Sequence, residues 1–244
     1  MFCAVLRRVV QLLCLTHVAF EGPARIADWA RDRGHDLTVV RADLASELHP
    51  PARLDGLVVM GGPMSATDSF PWMLRELAFI ERMLNQEAPV LGVCLGAQLL
   101  AHIFGAQVHR AEHKEIGWWP VRRMQNAGMP VVQLPESFVP LHWHGETFEL
   151  PKRAIRLAES EAIANQAFLL DSRVLGLQFH VEATPSSVRA IVEGAASDIS
   201  EGPYEQTAQD IVAQSTARCA ALEGPTYLLL DGFFPIGGET ETSY

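Results

Sequence analysis

Short runs of consecutive apolar residues alternate along the chain with longer stretches whose apolar positions recur at helical spacing. Residues 9–15, 37–40, 54–60 and 90–93 are runs of the first kind, and they predict buried strands. Residues 21–33 predict a helix with Ile26, Ala27, Trp29 and Ala30 on its apolar face and Gly34 as its stop. Residues 71–85 predict a second helix with Pro71 in its first turn, and residues 95–104 a third, closed by Gly105. This β-α-β-α order predicts a parallel sheet covered by helices on both faces. Ligands of such sheets sit at the carboxyl ends of the strands. The loops at 61–68 and 94–96 both occupy that position.

The second half is richer in strand patterns, at 118–123, 139–143, 155–158, 167–170 and 174–179. Residues 184–197 predict a helix capped by Thr184 with Pro185 at its first position. A further helix is expected over 204–221. The tail from Gly224 carries Leu228–Leu230 and Phe233-Phe234, so it is expected to pack, at a place the pattern leaves open.

Composition narrows the function. About half of the 244 residues are apolar, 48%, enough for one substantial core. The net charge of −10 repels phosphate backbones and anionic lipid, and Arg7-Arg8 and Arg122-Arg123 are too short to offset it. Nucleic acid and membrane are therefore not expected as partners, and small-molecule chemistry leads. Arg7-Arg8 before the apolar run resembles a signal peptide, but Gln11 interrupts the run and no convincing cleavage site follows, so a first strand is the better reading. Cys3, Cys14, Cys94 and Cys219 show no C-x-x-C spacing, which argues for a reducing, cytoplasmic setting.

Gly92-Val93-Cys94-Leu95-Gly96 lies between a predicted strand and a predicted helix. A G-x-nucleophile-x-G turn there presents its central side chain on a strained elbow. The amides opening the helix favour a thiolate, and the Leu95 N–H is placed to donate to an oxyanion. The plainer alternative is a buried cysteine in a turn, which is the reading adopted for Cys3, Cys14 and Cys219. His180 and Glu182 are two apart near a strand end, so they share one face, and a carboxylate beside an imidazole sets its tautomer and basicity. Gly61-Gly62-Pro63 ends another strand. Pro63 has no N–H, so Gly62 is the expected second oxyanion donor, with Gly61 next.

Taken together, Met60-Gly61-Gly62-Pro63, Gly92 to Gln98 and Gln178-Phe179-His180-Val181-Glu182 resemble the class I (triad) glutamine amidotransferases. The chain looks closest to stand-alone proteins related to the glutaminase domain of GMP synthase. Lys114 to Trp118, His142 to Phe148 with Leu150-Pro151, and Asn165 to Phe168 extend the likeness, which runs from about Val9 to Val192. Val181 stands where that family often has proline. The resemblance implies Cys94, His180 and Glu182 as a triad, and an oxyanion hole from Gly62 and Leu95. It implies substrate contacts from Gln98, Trp143, Gly145 and Glu146.

The expected fold class is α/β, a flavodoxin-like three-layer sandwich with a mostly parallel central sheet. A single domain is expected over 1–244, with its core at 9–192 and the segment 200–244 outside the likeness. The expected activity is hydrolysis of the glutamine γ-carboxamide through a thioester on Cys94, with no metal or organic cofactor. Two alternatives stand beside it: a γ-glutamyl peptide hydrolase or transferase with the same triad, and a non-catalytic binding protein on this scaffold. No phosphate-binding G-x-x-x-x-G-K-[ST] loop occurs, so ammonia would pass to a separate synthase. That partner and a homodimer are left open. His142 and His144 are two apart, but zinc wants a third ligand. Glu115 is expected as a buttress of the site or, more commonly, as solvated loop charge.

Overall fold

The computed structural model describes residues 9–125 and 131–234. Its elements in chain order are β1 (Gln11–Thr16), α1 (Arg25–Arg33), β2 (Asp36–Arg41), β3 (Gly56–Val59), α2 (Pro71–Asn85), β4 (Val90–Val93) and α3 (Leu95–Ile103). There follow β5 (Val108–Trp118), β6 (Val121–Arg123), β7 (Ser137–Phe138), β8 (Leu141–Phe148), β9 (Ile155–Ser160), β10 (Ala167–Leu170) and β11 (Val174–Leu177). The last elements are α4 (Pro185–Gly194), a short 3-10 turn over Ala196–Asp198, and α5 (Ala208–Phe233).

Nine strands form one sheet in the order β2-β1-β3-β4-β11-β10-β9-β6-β7. The first five run parallel, and the last four continue antiparallel. β5 and β8 pair as a separate two-stranded ribbon. Because strand side chains alternate, Leu12 and Cys14 join one core cluster with Ile26 and Trp29 of α1 and Leu229, Leu230 and Phe233 of α5. Leu13 and Leu15 join the opposite one with Met73, Phe79, Ile80 and Met83 of α2 and Leu99 and Leu100 of α3. The three-layer α/β sandwich expected from the pattern is therefore present. Among the described residues, no helix is long and apolar enough to cross a membrane.

Several boundaries differ from expectation, each for a physical reason. The first helix starts at Arg25 rather than Glu21, since Pro23 and the positive φ of Ala24 (41°) shape residues 21–24 as a loop. The strand expected at 118–123 is two strands, broken at Trp119-Pro120, where proline supplies no ladder N–H. β5 carries no strand signal in its first half because His109, Arg110, Glu112, His113 and Lys114 make it polar on both faces. The strand expected at 139–143 begins later and runs on to Phe148.

The pattern stops the last helix before Gly224-Pro225, yet α5 continues to Phe233 with Pro225 inside it. Side-chain contacts outweigh the amide that proline removes. Trp29 Nε1 donates to Asp231 at 2.8 Å, and Arg33 pairs with Asp231 at 2.7 Å. Thr226 Oγ1 lies 2.8 Å from the carbonyls of both Val181 and Leu222. Phe234 packs against Gly56, where an added Cβ would meet its ring at 2.4 Å. This places the apolar part of the tail, under α1 and behind the strand end that carries His180. Cys3 and the Arg7-Arg8 pair lie outside the described residues.

Candidate active site

The carboxyl ends of β3, β4 and β11 adjoin one another, and the candidate residues follow directly from them. Cys94 stands between β4 and α3 with φ 52° and ψ −109°. A non-glycine residue held there stores roughly 1–3 kcal/mol of backbone strain. Its N–H donates to the Leu177 carbonyl at 2.7 Å, and the Gly96 N–H to Met60 at 3.1 Å, so two neighbouring strand ends hold the elbow. The flanking glycines are sterically required: a Cβ on Gly92 would lie 2.5 Å from Gly96 backbone, and one on Gly96 would lie 2.1 Å from the Val59 carbonyl oxygen.

His180 is held through its backbone, its N–H donating to Leu141 at 2.8 Å. Its Nδ1 lies 2.7 Å from Glu182 Oε1. The next carbonyls are also tied down, Val181 by Thr226 and Glu182 by the Arg25 N–H at 2.9 Å. His180 and Glu182 are almost fully buried. Burial opposes a charge on His180, but Glu182, together with the contact and charge of Cys94, outweighs it and raises the pKa well above the ordinary value. His180 Nε2 has no hydrogen-bond partner among the described residues, so the sulfur acts on the ring by proximity rather than through an aligned bond. Gly61 marks the convergence: a Cβ placed on it would lie 3.1 Å from His180 Cε1 and 3.4 Å from Cys94 Cβ.

Cys94, Gly62, Gln98, Trp143, Gly145 and Glu146 all line one cavity of about 710 Å³. Gln98 Nε2 donates to the Glu146 carbonyl at 3.2 Å and to Gln178 Oε1 at 3.1 Å. The Trp143 carbonyl lies 3.7 Å from Cys94 Sγ, and Gln178 Nε2 lies 3.8 Å from it. Leu95 opens α3, where an N–H has no intrahelical acceptor.

Sequence reasoning missed three residues here. Glu21, expected inside a helix, lies in the loop before α1 and lines the cavity. A Cβ on Gly61 would come within 2.2 Å of its Oε2. Burial raises its pKa, with His180 opposing and Glu182 adding to the rise. His17 and Glu76 form a fully buried pair at 2.9 Å, and His17 Nδ1 lies 2.8 Å from the Gly61 carbonyl oxygen. Glu76 is spaced like an ordinary helix residue and His17 merely ends a strand, so neither carries a motif signal.

Glu115, expected as a buttress of the site or as solvated loop charge, is fully buried beside His142 and His144, which rules out the solvated alternative. Burial drives the His142 pKa down to about 4. Burial also opposes the charge on Glu115, but the nearness of both imidazoles brings its pKa down to about 2.

The model of the glutamine amidotransferase class-I family matches residues 24–193, and the chain belongs to that family. It is 31% identical over 196 residues to the glutamine amidotransferase-like protein YfeJ of Salmonella typhimurium, covering 77% of this chain and 82% of that one. It is also 31% identical over 154 residues to one subunit of the glutamine-hydrolysing GMP synthase of Thermoplasma volcanium, covering 62% and 73% of the two chains. Gamma-glutamyl peptidase 5 of Arabidopsis thaliana is 26% identical over 147 residues, covering 58% of this chain and 59% of that one. Among solved structures, a glutamine amidotransferase from Methylobacillus flagellatus superposes with a TM-score of 0.84 at 30% identity, covering 98% of this chain and all of that one.

Proposed function

We propose that this chain hydrolyses the γ-carboxamide of glutamine, with Cys94 as nucleophile, His180 as acid and base, and Glu182 as orienter. The observation that carries this reading is the strained elbow of Cys94 beside an imidazole whose far nitrogen is bound to a buried carboxylate at 2.7 Å. Glu182 fixes the Nδ1 proton and leaves Nε2 for the thiol. The raised pKa of His180 keeps a proton on the ring for the leaving nitrogen.

In this mechanism the Cys94 thiolate attacks the amide carbon, and the carbonyl electrons move to oxygen. The Gly62 and Leu95 amides receive that oxyanion. As the carbon–nitrogen bond breaks, His180 Nε2–H protonates the leaving nitrogen and ammonia departs. Water then attacks the thioester, giving its proton to His180, and glutamate and the free thiolate are released. The backbone of Trp143, Gly145 and Glu146, with Gln98, holds the amino-acid end of the substrate. His17 holds the Gly61 carbonyl, and the trans peptide plane turns the Gly62 N–H to the side away from that carbonyl.

A second reading, cleavage of γ-glutamyl peptides by the same residues, is favoured by the cavity, which leaves room beyond a free amino acid. The resemblance to gamma-glutamyl peptidase 5 points the same way. Under the first reading, ammonia passes to a separate synthase chain, as the similarity to one subunit of a GMP synthase suggests. The thiol must be reduced, and Cys14, Cys94 and Cys219 are all unpaired, so we place the protein in the cytoplasm.

Ammonia release from free glutamine, compared with dipeptide cleavage, separates these readings. Faster turnover of glutamine supports the first, and faster turnover of peptides the second. No turnover of either, with the partner synthase absent or present, leaves only a binding role.

A further inference from the structure

Glu115, His142 and His144 bring three potential ligand atoms together in the interior. His144 Nε2 lies 3.3 Å from Glu115 Oε2, His142 Nδ1 lies 3.6 Å from that oxygen, and the two nitrogens are 3.5 Å apart. Two ligands bound to zinc at about 2.0–2.1 Å in tetrahedral geometry stand about 3.4 Å apart. The triangle of donors thus has the dimensions of one face of a zinc coordination sphere, with its centre about 2.0 Å from each atom.

The outer nitrogens fix what the inner ones present. His142 Nε2 lies 3.3 Å from the Trp119 carbonyl oxygen, and His144 Nδ1 lies 3.1 Å from the Glu146 carbonyl oxygen. A carbonyl oxygen only accepts, so each outer nitrogen carries the proton. In the neutral rings both inner nitrogens then aim lone pairs at each other and at a carboxylate oxygen. This is the arrangement in which an outer hydrogen bond sets the tautomer of a metal-ligating histidine. Glu115 is itself positioned, since Gln166 Nε2 donates to its Oε2 at 2.5 Å. Glu115 Oε1 and Gln166 Oε1 are buried with no partner among the described residues.

We propose that Glu115 Oε2, His142 Nδ1 and His144 Nε2 bind a divalent transition metal, zinc first, as a structural site distinct from Cys94. Two imidazoles and a carboxylate suit zinc better than a hard cation. A water or the Gln166 amide oxygen completes the sphere. The sequence pattern argues against a metal because His142 and His144 lack a third ligand; the fold supplies it from β5. The ion clamps the β5–β8 ribbon at both sides of Trp143, whose carbonyl touches Cys94 Sγ. It thereby stiffens the Gly145–Glu146 stretch of β8 that lines the cavity. The proposal does not depend on the reaction assigned above.

The rival to the ion is a single proton, making His144 an imidazolium paired with Glu115. The test uses the full chain with Cys94→Ser, so that the nucleophile cannot hold metal, and measures metal content after loading with zinc and desalting. One zinc per chain, a thermal midpoint lowered by a chelator and restored by zinc, and loss of binding in Glu115→Gln support the site. Cobalt loaded in place of zinc gives intense tetrahedral visible bands, a signature that needs no second variant. Well under one-tenth of a metal per chain, no chelator effect and no cobalt bands, with both ring N–H protons of His144 visible by NMR, would overturn it in favour of the proton.

Discussion

The Nδ1 atom of His17 lies 2.8 Å from the carbonyl oxygen of Gly61, the residue just before the proposed oxyanion donor. Burial opposes a charge on His17, but Glu76 and the Gly61 carbonyl outweigh it and raise the pKa above the ordinary value. A charged ring donates from both nitrogens and locks the Gly61–Gly62 peptide in one orientation. His17→Phe should therefore lower kcat by about 10- to 100-fold while leaving KM within a few fold, since an oxyanion donor acts in the transition state. Steady-state kinetics on glutamine check this; a rise in KM alone would mean that His17 serves binding.

The nucleophile and its partners should differ in how much they matter. Cys94→Ser should abolish turnover with the fold intact by circular dichroism, and full activity in that variant would refute the assignment. Glu182→Gln should slow turnover by about 100-fold without eliminating it, because an orienter is commonly less critical than nucleophile or base. Wild-type rates there would require another carboxylate to orient His180, and Glu21, a cavity-wall carboxylate within electrostatic reach of His180, is the candidate.

The dependence on pH follows from His180. Its folded-state pKa lies above the ordinary 6.5, so the folded chain holds this proton more tightly than the unfolded chain. The resulting stabilisation is complete below about pH 6.5 and is lost as pH rises through the folded value. Thermal midpoints should accordingly decline on the alkaline side, and His180→Gln should flatten that decline. Turnover should fall over the same range, because the deprotonated ring cannot protonate departing ammonia. An alkaline decline of equal size in His180→Gln would assign it to another group.

Much of the site's rigidity should come from the C-terminal helix. Thr226→Val removes a buried hydroxyl shared between the Val181 and Leu222 carbonyls. It should cost about 1 kcal/mol of stability and reduce kcat, since Val181 sits between His180 and Glu182. Phe234→Ala empties the packing against Gly56 and Trp29 and should cost about 3–5 kcal/mol. Urea denaturation measures both. A Thr226→Val enzyme with lowered stability but unchanged kcat would limit the helix to a structural role.

The parallel half of the sheet is legible because its strands are short apolar runs punctuated by glycine and proline, and α2 and β4 match the expected bounds residue for residue. The elbow is legible because Gly92 and Gly96 have no alternative residue that fits the backbone contacts. What escapes is set by long-range contacts. β5 is polar along its first half, so no alternation marks it. Glu115, Glu21 and Glu76 look like surface carboxylates, and only the fold shows that an imidazole or a cavity wall meets each one. Pro225 carries a strong stop signal, and it is overruled by an anchor as distant as Trp29 to Asp231.

Treating the folded chain with a glutamine-mimicking chloroketone and mapping the adduct by mass spectrometry tests the central claim most directly. Cys94 should react stoichiometrically, glutamine should protect it, and His180→Ala should suppress the reaction. Cys14 and Cys219 should stay unmodified, since both are buried with thiol pKa values pushed up. An unmodified Cys94 in the folded chain, or labelling that falls on Cys14 or Cys219 instead, would contradict the account.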